Sequence, residues 1–154
     1  MKRQHKRYSR PKKPFDKVRM DEENILVKQY GLKNKKEIWK ADAAIAKIRG
    51  QAKSLIMMPE EQQAFLSRLI KMGLLSGSPS IDDALSLTKE NILERRLQTI
   101  VVKKALAKTI KEARQLIAHR KIAVAGRIMT VPGHIVTLDD EKNIRRQKQN
   151  GEKA

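Results

Sequence analysis

A chain of 154 residues has room for one or two domains, and this one carries 35 Lys and Arg against 17 Asp and Glu, a formal net charge of +18. Self-repulsion at that density disfavours a compact state unless an anionic partner neutralises it. Nucleic acid, whose condensed counterions are released by each cationic contact, is the commonest such partner, and a membrane surface is the competing one. Cysteine is absent, which removes disulfides, thiol catalysis and thiolate metal sites together. No apolar run is long enough for a membrane span or a signal peptide, so the expected setting is cytoplasmic and soluble. Aromatics make up only 3% of the residues, so a core must be built from Ile, Leu, Val, Ala and Met.

Residues 1–20 hold nine Lys and Arg against one acid, with Pro11 and Pro14 set against helix. They read as an extended, solvated basic arm, in which Lys2, Arg3, Lys6, Arg7, Arg10, Lys12 and Lys13 are candidate RNA contacts. Tyr8 and Phe15 have two readings: stacking on bases or sugars among those cations, or packing locally on the next helix. A helical region is expected over 21–90. Its first helix starts at Asp21 and stops at Gly31, a residue suited to the left-handed C′ position. Asn34 and Glu37 have the spacing of a capping box for a long helix. The apolar stripe of that helix is Ile38, Ala41, Ile45, Ile48, Ala52 and Leu55, with lysines off the stripe. Trp39 beside Ile38 reads as a core anchor rather than a stacking platform. Pro59 fits the first position of a further helix ending at Gly73. Ser80 with Asp83 signs a short helix, and Thr88 caps the one after it.

One continuous helix is expected from Lys89 to about Leu106, with Leu93, Leu97, Ile100, Val101 and Leu106 inward and Arg95, Arg96 and Gln98 outward. Thr109 with Glu112 forms a second capping box. In the helix it starts, Ile110, Ala113, Leu116 and Ile117 share one side, and Lys111, Arg114, Gln115 and Ala118 share the other. Ala118 among two cations and an amide keeps that face low, so that a nucleic acid backbone can approach. Lys121–Val124 then reads as a strand and Arg127–Met129 as its return, with Ala125-Gly126 as the turn between them. Ala resists positive φ, so a type II turn with Gly126 at its third position is expected there. A last strand is expected over His134–Leu138.

The order R-R-L-x-x-x-V, K-E-A-R-Q-L-I-x-H-x-x-I-x-V-x-G-R and V-P-G-H-x-V over residues 95–136 is similar to the alpha-L RNA-binding fold, two helices with a short antiparallel sheet. That fold is shared by pseudouridine synthases, tyrosyl-tRNA synthetases and small RNA-binding stress proteins. Ahead of it, Y-S-R-P-x-x-P-F and Y-G-L-K-N-K-K-E-I-W make the chain resemble the family of small-subunit ribosomal protein four, in its archaeal and eukaryotic form. The resemblance implies an α+β protein in four parts. These are a basic arm at 1–20, a mainly helical region at 21–90, an alpha-L domain at 91–142 and a charged tail at 143–154.

It also implies a structural constituent of the small ribosomal subunit. Such a protein is a primary binder of 16S-type rRNA that nucleates assembly of the 5′ domain and influences decoding accuracy. Its partners would be that rRNA, neighbouring small-subunit proteins and mRNA near the channel by which it enters. Some relatives bind zinc through N-terminal cysteines, which this chain lacks. Many carry Asn-Gly where this chain has Ala125-Gly126. A stand-alone RNA chaperone or stress factor is the alternative. A pseudouridine synthase fails on size, since ninety helical residues cannot supply a mixed-sheet catalytic domain.

Beyond the arm, the residues expected to touch RNA are Arg95, Arg96, Lys111, Arg114, Gln115, His119, Arg120, Lys121 and Arg127. Arg can fork onto phosphate or stack on an exposed base, and Lys supplies a mobile point charge. His119 has a second reading, a helix C-terminal residue held as a cation by the dipole. No carboxylate pair, phosphate loop or activated nucleophile stands out, so no catalytic or metal residue and no cofactor is assigned.

Overall fold

The computed structural model describes residues 8–147. Among them, an irregular segment precedes α1 (Lys17–Gln29), α2 (Lys36–Leu55), α3 (Pro59–Lys71), α4 (Ile81–Ser86) and α5 (Lys89–Glu94). Then come α6 (Leu97–Lys103), α7 (Ile110–Ala118), β1 (Ile122–Val124), β2 (Arg127–Ile128), α8 (Leu138–Lys142) and β3 (Ile144–Arg146). The three strands form one antiparallel sheet in the order β2-β1-β3. The class is α+β, as expected.

Two apolar cores divide the chain. The first joins α1 to α5 around Ile38, Leu69 and Leu93; the second joins α6, α7 and the sheet around Leu97, Ile100, Ile117 and Ile122. Ile135 sits in the second half of the chain but packs on the first core. The α2 stripe is buried at Ile38, Ala41, Ile45, Ile48 and Ala52, as its three-and-four spacing requires. Pro59 occupies the first turn of α3, and Ser80 with Asp83 forms a complete capping box on α4.

Several expectations are corrected. Helix α1 starts four residues early, because the Asp16 carboxylate accepts from the Arg19 N–H and provides the cap. The arm is therefore non-helical only up to Asp16 within the described residues. The Glu37 and Glu112 boxes are each displaced by one residue: the carboxylates accept from the N–H groups of Lys33 and Lys108, not from Asn34 and Thr109. Asn34 and Thr109 still cap, bonding the N–H groups of Lys36 and Glu112.

The helix expected over 89–106 is broken at Arg95–Arg96. Arg96 is extended (φ −70°, ψ 142°) and bridges Ile135. A second helix starting at Leu97 needs its free N–H groups satisfied, and Arg cannot cap it. The chain solves this from afar: Leu97 N–H bonds the His134 carbonyl at 2.8 Å and Gln98 N–H the Pro132 carbonyl at 3.3 Å. The segment expected as a strand over 134–138 is spent on that task and on Thr137, which caps α8. The third strand is instead β3, within the stretch that the sequence leaves to the charged tail.

The hairpin turn is also corrected. Val124 pairs with Arg127, so the loop is the two residues Ala125 and Gly126, with φ of 47° and 79°. Both positive values define a type I′ turn, whose twist matches that of the strands it joins. Strand geometry overrides the preference of Ala, which stays strained. Replacing Ala125 with Asn, which tolerates this region, is expected to stabilise the protein by about 0.5–1 kcal/mol, readable as a higher urea midpoint with unchanged slope.

Candidate nucleic-acid interface

The cations expected to meet RNA fall into two groups in the structure. Arg95, Arg96 and Arg114 are engaged internally. The Arg96 side chain is only 7% exposed and is paired with Glu37 Oε2. Arg114 Nη2 donates to Glu37 Oε1 at 3.1 Å, and its Nη1 reaches the Gly31 carbonyl at 3.3 Å. Arg95 is bonded to Glu141 at 2.7 Å and to the Val136 carbonyl at 2.9 Å. Arg95 and Arg96 are therefore not an outward pair at a helix start, and Arg114 is half-buried on the edge of its face.

Glu37 thus joins α2 to the break between α5 and α6 and to α7. Burial pushes its carboxyl up, but the hydrogen bonds and charges of Arg96 and then Arg114 outweigh that, so it sits below the ordinary carboxylate value. Gln98 extends the junction. It is 1% exposed, not outward as its helical position suggests, and its amide donates to the carbonyls of Gly31 at 3.2 Å and Ile110 at 2.9 Å. Gly31 must be glycine here: φ is +57°, and a Cβ would overlap Ile110 Cγ2. Spacing alone could not have distinguished these cations from free ones, since their partner lies in a distant helix.

The second group is open. Lys111, Gln115, His119, Arg120 and Arg127 are exposed and Lys121 half-buried. Among the described residues none of these cations is ion-paired, and Ala118 lies exposed between them. Helix α7 ends with His119 as C-cap and Arg120 at φ 60°; the N–H groups of Arg120 and Lys121 bond the carbonyls of Ile117 and Leu116. That is a Schellman cap with Arg where glycine is the usual residue, so Arg120 is held in a strained backbone state.

Strand β3 adds two cations that the sequence leaves to the tail. Arg145 and Arg146 are exposed and line, with Ala125 and Gly126, a groove of about 620 Å³ beside the hairpin. The signal that could have found them is the apolar Ile144 between Asn143 and two arginines, too short to stand out from a charged run. In the arm, Arg10, Lys12 and Lys13 are exposed. Tyr8 leans on Trp39 of α2, ring centroids 6.1 Å apart, rather than on the next helix, and Phe15 is exposed and does not pack locally. Trp39 is half-buried on the first core, its indole N–H bonded to Glu23 at 3.0 Å. Lys2, Arg3, Lys6 and Arg7 lie outside the described residues.

A short two-helix and hairpin module with an unpaired cationic face, held to a helical scaffold by buried arginines, defines an RNA-binding protein of the alpha-L class. The family model described as the S4 domain matches residues 95–142. The chain is 49% identical to the small ribosomal subunit protein uS4 of Thermoplasma acidophilum over 91% of its own length and 74% of that protein's. It is 47% identical to proteins of the same name from Hyperthermus butylicus and Saccharolobus solfataricus, covering 82% of each. The chain belongs to the uS4 family of small-subunit ribosomal proteins.

Glu37→Ala strands two arginines and is expected to cost about 3 kcal/mol in urea denaturation. The pH dependence follows from the lowered folded-state value of Glu37: its contribution is full above the ordinary value of 4.5 and is lost as pH falls through the folded value. In Glu37→Gln that acid-side loss should flatten, which pH-dependent melting measures.

Proposed function

We propose that this chain is a structural constituent of the small ribosomal subunit that binds 16S-type rRNA through the outer face of α7, its C-terminal cap and the hairpin. The observation that carries this is the set Lys111, His119, Arg120, Lys121 and Arg127, which among the described residues has no ion pair while neighbouring arginines are engaged by acids. Gln115 belongs to the same face, and Arg145 and Arg146 extend it along the sheet edge. Recognition is through shape and backbone, because duplex RNA hides its base edges. The arm cations Lys2, Arg3, Lys6, Arg7, Arg10, Lys12 and Lys13 join as a second, extended contact.

The finer roles rest on the family likeness. They are nucleation of the 5′ domain, an influence on decoding accuracy, neighbouring ribosomal proteins as partners, and closeness to mRNA where it enters. Location in the cytoplasmic small subunit follows from the same likeness. The scaffold of α1 to α5 has no place in a free chaperone built of the RNA-binding module alone, which favours the ribosomal reading over the stress-factor one. Sedimentation decides between them: stoichiometric presence in small subunits after a high-salt wash is expected, and release into the soluble fraction would overturn it.

Two substitutions separate binding from folding. Lys111→Ala is expected to weaken rRNA binding and lower the salt slope by roughly 0.7–0.9 per lost phosphate contact, whereas Arg114→Ala should chiefly lower stability. Arg120→Gly relieves the strained cap and should stabilise the free protein by up to about 1 kcal/mol while weakening RNA binding, which paired melting and filter-binding measurements would check.

A further inference from the structure

Helix α2 buries one stripe and turns the opposite one outward. Lys36, Lys40, Ala43, Lys47, Gly50 and Ser54 recur at intervals of four and three, the spacing of a single helix face. The three lysines are exposed and, among the described residues, not ion-paired. With Arg49 and Lys53, α2 carries five cations against the acids Glu37 and Asp42. Neither acid stands on this face. Glu37 leaves the flank of the helix to meet Arg96 and Arg114, and Asp42 lines a cleft with Arg49 and Lys89. The arm reaches α2 through Tyr8 on Trp39 and adds the exposed Arg10, Lys12 and Lys13, while its one acid, Asp16, caps α1. Like charges are thus gathered along this face with no carboxylate on it.

Gly50 is a second, independent observation. It sits inside a helix of 20 residues, where glycine costs stability relative to alanine. Its backbone is helical, and a Cβ added there would meet nothing within 4 Å. Neither the backbone nor packing within the chain asks for glycine at that position. What it provides is a low point on an exposed face. Ala43 and Ser54, whose hydroxyl donates to the Gln51 carbonyl at 2.8 Å, continue that shallow floor between the lysines.

The chemistry of the face selects its partner. It carries no large apolar or aromatic side chain, so it has neither the apolar side that an interfacial helix sinks into a bilayer nor the anchor of a protein interface. An RNA backbone needs only spaced cations and a surface low enough to approach. Lys36 to Lys47 spans roughly 16 Å of helix axis, so the three lysines can meet different phosphates.

We propose that this face of α2 is a further binding surface for an RNA sugar-phosphate backbone, which it seats close to the helix at Gly50. It takes a segment of rRNA other than the one held by α7, because the flank of α2 toward α7 is occupied by Glu37 paired with Arg96 and Arg114. The protein then joins two RNA segments across its two cores. This rests on the reading that the chain binds small-subunit rRNA.

The test is hydroxyl-radical footprinting and filter binding of the full chain on 16S-type rRNA, comparing the wild type with three variants. Lys36→Gln, Lys40→Gln and Lys47→Gln combined should leave the melting temperature unchanged, lower affinity about tenfold and reduce the salt slope by about 2–3. The combined variant should also lose a protected backbone segment that Lys111→Ala keeps. Gly50→Gln removes no charge; it should raise the melting temperature and still weaken binding several-fold. Unchanged affinity and slope in the triple variant, loss of the same segment as in Lys111→Ala, or affinity indifferent to Gly50→Gln would overturn the α2 site alone. Failure of the wild-type chain to protect the rRNA at all would overturn the functional reading and the α2 site with it.

Discussion

The carboxylate of Glu37, gripped by Arg96 and Arg114, is the constraint on which the structure depends. It ties the long helix of the first core to the two helices of the second. Without that carboxylate, Arg96 and Arg114 would meet the first core as desolvated, unpaired cations. Two further acids join separate elements in a similar way. Glu23 does this between α1 and α2, and Glu141 between α8 and the Arg95 break. Breaking such a buried group leaves its partners desolvated and unpaired, which costs more than the pair contributes.

The placement of the acids also shapes the candidate RNA-binding face. Cations that meet Glu37 or Glu141 become part of the scaffold, and those on the far side of α7 and along the hairpin are, among the described residues, not ion-paired. The backbone around them is strained at Arg120 and Ala125, where glycine or asparagine would relieve it. Strain held at an exposed cationic cap is consistent with selection for a ligand rather than for stability.

Much of this was legible from the residues. The α2 stripe, Pro59 opening α3, the Ser80–Asp83 box and the β1–β2 pairing follow from short-range rules that need no knowledge of the rest of the chain. The candidate face was legible in part. Lys111, Gln115 and Arg127 are exposed as periodicity suggested, but Arg96 and Gln98 are buried because their partners lie some sixty residues away in sequence. Arg145 and Arg146 were hidden because a three-residue strand beside a charged run has no period to read.

The sequence by itself determined the charge, the helix periods and caps, and the resemblance that named the family, all set by local chemistry along the chain. Only the tertiary structure decided which cations are scaffold and which are free. It also decided where the 89–106 helix breaks, and which segment completes the sheet. Each of those outcomes depends on a donor or acceptor brought from a distant element: the Glu37 carboxylate, the carbonyls of Pro132 and His134, the edge of β1. A pattern read in one dimension cannot show which partner a side chain will meet when the chain closes.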